Sequence, residues 1–273
     1  ATLISMKDHI PTDIKESLAK LNDSSRYLLG LINDILDMSR IDRGMMTIAN
    51  ESFSLERVLD EICSIMQAQA QRKQIKLLCR AEIKHTDLTG DPIRLKQVLM
   101  NLLSNAVKFT PKDGQVFLIV EELEETDTGA AYRFCVSDSG VGISEEDISR
   151  IFDSFEQIGN NRTRSQGTGL GLPISRNIVE LMGGTLNVKS QVGSGSEFYF
   201  TISLPFGNPV ETHALNASAE TYENARFLLA EDNQLNAEIA TDLFTAEGAQ
   251  VELASDGIEA VKLFNQSQSG YFD

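Results

Sequence analysis

Two clusters of glycine and one row of amides carry the chemistry available to this chain. Asp138-Ser139-Gly140-Val141-Gly142 follows Tyr132-Arg133-Phe134-Cys135-Val136-Ser137, whose alternation of large apolar and smaller or polar residues predicts a strand. Asp138 thus sits where a strand ends and a turn begins. A carboxylate only accepts hydrogen bonds, so it suits an amino donor such as the exocyclic amine of adenine. Gly140 and Gly142 permit backbone angles and close approach that a side chain would forbid. The second cluster, Gly167-Thr168-Gly169-Leu170-Gly171-Leu172, directly precedes Pro173 and a helical pattern. A glycine-rich turn feeding a helix N-terminus offers free N–H groups and a positive dipole end to phosphates. Each cluster alone also reads as an ordinary turn. Between them lies a polar loop with Arg162 and Arg164, read as a mobile lid.

The amides lie on the helix predicted from Asp91-Pro92 to about Phe109, with Asp91 as N-cap and Pro92 in the first turn. At about 100° per residue, Leu95, Val98, Leu99, Leu102, Leu103, Ala106 and Val107 share one broad face. Gln97, Asn101, Asn105 and Lys108 share a stripe on the other. Asn is a poor helix former, so two of them one turn apart suggest a purpose, although a plain polar surface is the alternative. An amide oxygen can ligate Mg2+, and Lys108 can meet a phosphate. A Rossmann arrangement is disfavoured, because Asn160–Gln166, before Gly167, is not a strand. The Gly-x-x-x-x-Gly-Lys-Ser/Thr phosphate loop is absent.

Other elements must position these groups. Residues 11–42 predict one long helix in which Ile14, Leu18, Leu21, Leu28, Ile32 and Ile35 alternate at 4/3 spacing, with Asp13 and Glu16 resembling a capping box. A bundle helix and a surface helix are both compatible with that seam. Residues 55–72 predict a helix and 75–83 a strand. Residues 115–123 and 132–137 predict a hairpin. Ser144 caps a short helix, and Phe152 and Phe155 read as core packing before a lid hinge. A second hairpin, 185–190 with 197–204, crosses Gly193-Ser194-Gly195. The pattern of 52–206 is α+β. Residues 207–224 read as a linker. Then 225–230, a helix to about Glu247, 250–253 and a helix from about Asp256 give a βαβα order, with functional carboxylates expected at strand C-termini. Glu231 and Asp232 fit that place, or a helix-capping acid cluster.

The 273 residues suffice for about two domains. A net charge of −16 argues against a nucleic-acid surface. Cys63, Cys79 and Cys135 lack metal or redox spacing and are expected to be separate core thiols in a reducing compartment. No apolar run approaches membrane-spanning length, so no membrane contact is expected and a cytoplasmic location is.

Residues 91–206 resemble the ATP-binding catalytic domain of sensor histidine kinases, within the group shared with DNA gyrase, Hsp90 and MutL. Four motifs match in order: an asparagine box (Asn101 to Phe109), a first glycine box (Asp138 to Gly142), a phenylalanine box (Phe152, Phe155) and a second glycine box (Gly167 to Leu172). Residues 28–39 resemble the second helix of that family's dimerisation and phosphotransfer domain, and 225–273 the start of a response-regulator receiver. The implied architecture is a helical bundle segment (1–45), an α/β sandwich with a mixed sheet and three helices (46–206), a linker (207–224) and a partial doubly wound receiver (225–273).

The resemblance implies ATP and Mg2+ as cofactors. Asp138 would bind the adenine amine, Asn105 with Asn101 the Mg2+, and Gly167 to Leu172 the triphosphate, with Arg162 and Arg164 in the lid. Glu231 and Asp232 would hold the receiver's Mg2+. It implies a homodimer through the first helix, with a receiver or a downstream phosphotransfer protein as partner. Where hydrolase relatives carry a general-base Glu, this chain has Asn101, which cannot take a proton at neutral pH. His9, His85 and His213 all lack the family's acceptor context. The acceptor is therefore expected upstream of Ala1, and Asp273 is a poor candidate for the receiver's acceptor. The alternatives are a gyrase- or MutL-type ATPase clamp and a non-catalytic signalling scaffold.

Overall fold

The computed structural model describes residues 12–154, 156, 168–208, 222–223, 225–268 and 270–273. Residues 24–211 make one compact unit, and the C-terminal segment belongs to a second. Helix α1 (Thr12–Asp42) is followed by β1 (Glu51–Ser54), α2 (Leu55–Arg72), β2 (Lys76–Glu82), β3 (Asp87–Gly90) and α3 (Pro92–Phe109). Then come β4 (Gln115–Glu125), β5 (Gly129–Asp138), α4 (Glu145–Ile148), α5 (Gly171–Leu181), β6 (Asn187–Gln191) and β7 (Gly195–Pro205).

The main sheet runs β2-β4-β5-β7-β6. β2 is parallel to β4 and the other neighbours are antiparallel, so the sheet is mixed as expected. Period-2 burial along β4 and β7 gives the sheet one dry face. From it Val116, Leu118 and Val120 of β4, together with Phe134, Phe200 and Ile202, meet the helices. Phe134 and Phe200 are register partners whose rings stack at 5.0 Å, a pair worth about 0.5–1.5 kcal/mol beyond its buried area. The helices supply Leu55, Ile62 and Met66 from α2 and Ile174, Ile178 and Val179 from α5. The apolar face of α3 is buried as its spacing predicts, from Leu95 to Val107. Removing a side chain such as Leu99 or Leu102 would leave a cavity costing about 2–5 kcal/mol.

The helix starts follow their capping residues. Ser54 accepts from Arg57 N at the head of α2, Asp91 from Arg94 N at α3 and Ser144 from Asp147 N at α4. Phe152 packs against the core and the Arg176 guanidinium lies over its ring at 5.4 Å, in agreement with a packing role. β1 and β3 pair as a separate antiparallel ribbon. At four residues each they are too short for a periodic signal.

In α1, Leu28, Ile32 and Ile35 of the seam are exposed, and among the described residues no partner helix covers them. The opposite side is engaged. Asp37 accepts from Arg94 Nη1 and Gln97 Nε2, both at 2.9 Å, which fastens the C-terminal half of α1 to α3. The side chains of Asp13 and Glu16, Phe155, the loop 157–167 and most of the linker lie outside the described residues.

One expectation is corrected. Cys63 and Cys79 are not separate core thiols. They form a disulfide between α2 and β2, with Cα atoms 6.6 Å apart, and Cys79 lies at the surface of that edge strand. The pairing depends on how α2 packs beside β2, which spacing along the chain does not reveal. Cys135 is free and buried, as expected.

The C-terminal unit contains β8 (Arg226–Ala230), α6 (Gln234–Ala246), β9 (Gln250–Ala254) and α7 (Gly257–Gln266). β8 and β9 are parallel, which fits the βαβα order. Asn233 and Asp256 cap the two helices. Asp273 N donates to Arg226 O at 3.0 Å, and Asp273 Oδ2 accepts from Arg226 N at 3.0 Å.

Candidate functional site: a pocket between the amide helix and two glycine turns

Within the first unit, α3, the end of β5 and the start of α5 enclose a cavity of about 500 Å3. Asn101, Asn105 and Lys108 of α3 line it. So do Asp138 and Gly142 of the first glycine cluster and Thr168, Gly169, Gly171 and Leu172 of the second. Segments far apart in sequence thus converge on one cavity. Gly140 and Leu170 do not line the cavity. The N–H of Gly140 binds Asp138 Oδ1 at 2.8 Å, and Leu170 is buried at the head of α5. Phe155, Arg162, Arg164 and Gly167 lie outside the described residues.

Asp138 is half-buried at the C-terminus of β5. Burial raises its pKa above the usual 3.8, and the N–H groups of Gly140 and Ser196 offset part of that rise. Ser196 stands opposite Asp138 in the β5–β7 register. It became visible as a site residue only once those strands were paired. Gly142 has φ of +70°, and a Cβ there would strike the Gln191 carbonyl, so the turn requires glycine.

On α3, Asn101 Nδ2 donates to Ser175 Oγ at 2.8 Å, and Asn101 Oδ1 accepts from Asn105 Nδ2 at 3.4 Å. Ser175 is 1% exposed. Asn101 therefore ties α3 to α5 and turns Asn105 so that its own carbonyl oxygen stays available. Gly171 lets this happen, because a Cβ there would collide with the Asn101 amide. Thr168 Oγ1 accepts from Leu170 N at 3.1 Å and donates to Asp34 Oδ2 of α1 at 3.0 Å. Burial, and secondarily Asp37, raise the Asp34 pKa, while the Thr168 bond opposes them. Lys108 is pushed down, first by burial and then by the charge of Lys73. Sequence reasoning missed Asp34, Ser175 and Ser196, since each acts through a tertiary contact.

Comparison with known proteins identifies the family. Residues 90–207 match the family described as histidine kinase-, DNA gyrase B- and HSP90-like ATPase. The chain is 36% identical over 250 residues to the circadian input-output histidine kinase CikA of Synechococcus elongatus, covering 90% of this chain and 32% of that protein. It is 38% identical over 204 residues to the sensor protein GacS of Pseudomonas syringae pv. syringae, covering 73% of this chain and 22% of that one. Among solved structures, full-length ShkA in complex with AMPPNP superposes with a TM-score of 0.61 at 26% identity, covering 93% of this chain and 51% of that one. Residues 90–207 form a histidine kinase-type ATP-binding domain. The chain spans a third or less of the length of these two relatives.

The ATP-binding domain has a donor set that fits Mg2+. Asn105 offers a neutral hard oxygen, and such an ion completes its shell from water and phosphates. Asn101 offers a second such oxygen, which also accepts from Asn105 Nδ2 at 3.4 Å. Outside the pocket, His85 sits on the β2–β3 connection. Its Nδ1 lies 2.7 Å from Glu122 Oε1 and its ring 4.4 Å from that of Phe206. His9 and His213 lie outside the described residues. Glu231 Oε1 accepts from Asn233 N at 3.1 Å and from Asn236 Nδ2 at 3.2 Å at the head of α6. Asp232 is exposed beside it. No helix among the described residues is long and apolar enough to cross a membrane.

Proposed function

We propose that the chain is part of a hybrid sensor histidine kinase that moves the γ-phosphoryl of ATP to a protein histidine and then to a receiver aspartate. Residues 1–45 supply the dimerisation and phosphotransfer helix, 46–206 the ATP-binding catalytic domain and 225–273 the first part of a receiver, joined by the linker 207–224. The observation that carries this reading is the convergence of Asn105, Lys108, Asp138, Thr168, Gly169 and Gly171 on one cavity.

In this reading Asp138 accepts from the adenine amine. Its cost of burial is repaid by two backbone N–H groups and then by the base. The second glycine cluster and the N-terminus of α5 take the phosphates. Lys108 adds a point charge, with Arg162 and Arg164 in the lid. Asn105, steadied by Asn101, would hold the Mg2+, which when bound offsets charge on the phosphoryl oxygens.

The position at which the hydrolase relatives carry a general-base Glu is here the amide of Asn101, which cannot take a proton at neutral pH. The site therefore presents ATP to an acceptor imidazole. The bond between the γ-phosphorus and the bridging oxygen breaks, an N–P bond forms, and ADP leaves. Dimerisation through the exposed seam of α1 and transfer to a receiver or a separate phosphotransfer protein complete the scheme. Glu231 and Asp232 are the acids that would hold the receiver's Mg2+.

None of His9, His85 and His213 has the acceptor context, so this chain should bind Mg-ATP without labelling itself. Incubation with γ-labelled ATP tests this. Acid-labile label on any of the three would overturn the acceptor assignment, and sustained phosphate release would favour an ATPase clamp.

A further inference from the structure

The last carbonyls of α3 are all accounted for, and two of them depend on one side chain. Ala106 O accepts from Thr110 N at 3.1 Å and from Thr110 Oγ1 at 2.7 Å. Phe109 O accepts from Val141 N of the first glycine cluster at 3.4 Å. Val107 O and Lys108 O take their donor from outside the helix. Lys73 Nζ donates to Val107 O at 2.8 Å, to Lys108 O, and to Thr110 O at 3.3 Å. Three ammonium protons thus meet three carbonyls. Lys73 is the C-cap residue of α2 and lies outside every motif that the sequence marks.

The place matters because this helix end borders the pocket. Lys108 and Phe109 both line the cavity. A helix C-terminus carries a negative partial charge of about half an elementary unit. Left bare, that charge would oppose a polyanion in the same cavity. A cation on the carbonyls cancels it and fixes the turn from which Lys108 projects. The two ammonium groups also feel each other, since Lys73 helps push the Lys108 pKa down. A phosphate chain beside Lys108 would relieve that repulsion.

We propose that Lys73 is a positioning residue for the phosphate side of the pocket. By gripping the carbonyls of Val107, Lys108 and Thr110 it aims Lys108 at the nucleotide's phosphates and neutralises the helix end beneath them. The inference rests on the reading of the cavity as an ATP site.

A nucleotide series tests it. Mg-ATP and adenosine are titrated into the wild-type chain, Lys73→Met and Lys73→Arg, with calorimetry for the first ligand and chemical-shift titration for the second. Lys73→Met is expected to weaken Mg-ATP about tenfold and to leave adenosine within about twofold, because adenosine has no phosphates. Lys73→Arg should recover most of the loss. In a Lys108→Met background the Lys73→Met effect should largely vanish. Equal losses for ATP and adenosine would mean that Lys73 is only a structural cap, and the proposal would fall. Unchanged ATP affinity in Lys73→Met would overturn it too. Should Lys73→Met not fold, as judged by circular dichroism, Lys73→Gln takes its place under the same criteria. A wild-type chain that binds no ATP would instead sink the reading of the pocket itself.

Discussion

Asp138 carries the sharpest consequences at the scale of a single residue. Its pKa is raised by burial, so the folded state holds a proton there more readily than the unfolded chain. That contribution to stability is complete below the usual carboxylate value and is lost as pH climbs through the raised one. Nucleotide binding runs the other way, because only the ionised form accepts from the adenine amine without donating in return. ATP affinity should therefore fall on acidification at a pH above that of an ordinary carboxylate. A pH series of nucleotide titrations checks this, and an affinity that stays flat down to the unshifted carboxylate range would contradict it. Asp138→Asn turns one oxygen into a donor facing another donor. A loss of about 2–3 kcal/mol, roughly 30- to 160-fold in Kd, is expected. Unchanged affinity would exclude the adenine role.

The elements were legible in proportion to their length and periodicity. The two stripes of α3 could be read directly, since a broad apolar face and an amide row have opposite chemistry at one repeat, and all seven apolar positions proved buried. β1 and β3 could not be found, because four residues carry no period. The Cys63–Cys79 link and the contact of Asp34 with Thr168 arise only when helices are laid beside strands and turns. Arg94 and Asp37 are 19% and 12% exposed, so Arg94→Ala leaves a largely buried carboxylate without its cation. A cost of about 2–4 kcal/mol is expected, with looser attachment of α1, readable as a lower melting temperature and faster amide exchange over residues 28–40. An unshifted melting curve would show the pair to be inert. Ser175→Ala removes the acceptor of Asn101 Nδ2 and should cost about 1–2 kcal/mol. Because Asn101 orients Asn105, it should also weaken Mg-ATP binding more than it weakens adenosine binding.

For the molecule as a whole, the order of the motifs was the readable feature and implied a shared site, whereas the strand order that brings them together was not readable. Asn101–Phe109, Asp138–Gly142 and Gly167–Leu172 are each modest patterns, and what joins them is the β2-β4-β5-β7-β6 sheet with α3 and α5 on one face. The second unit followed from the same kind of signal, a βαβα alternation whose strands prove parallel. Its acidic pair was ambiguous in sequence, and in the fold Glu231 engages the head of α6. A cavity that grips a purine triphosphate through its metal must lose affinity when the metal is removed. Calorimetric titration of ATP into the wild-type chain, with Mg2+ and then with the metal chelated, tests it most directly. Saturable one-to-one binding that weakens at least about tenfold without Mg2+ is expected. No binding, or equal affinity in both conditions, would contradict it.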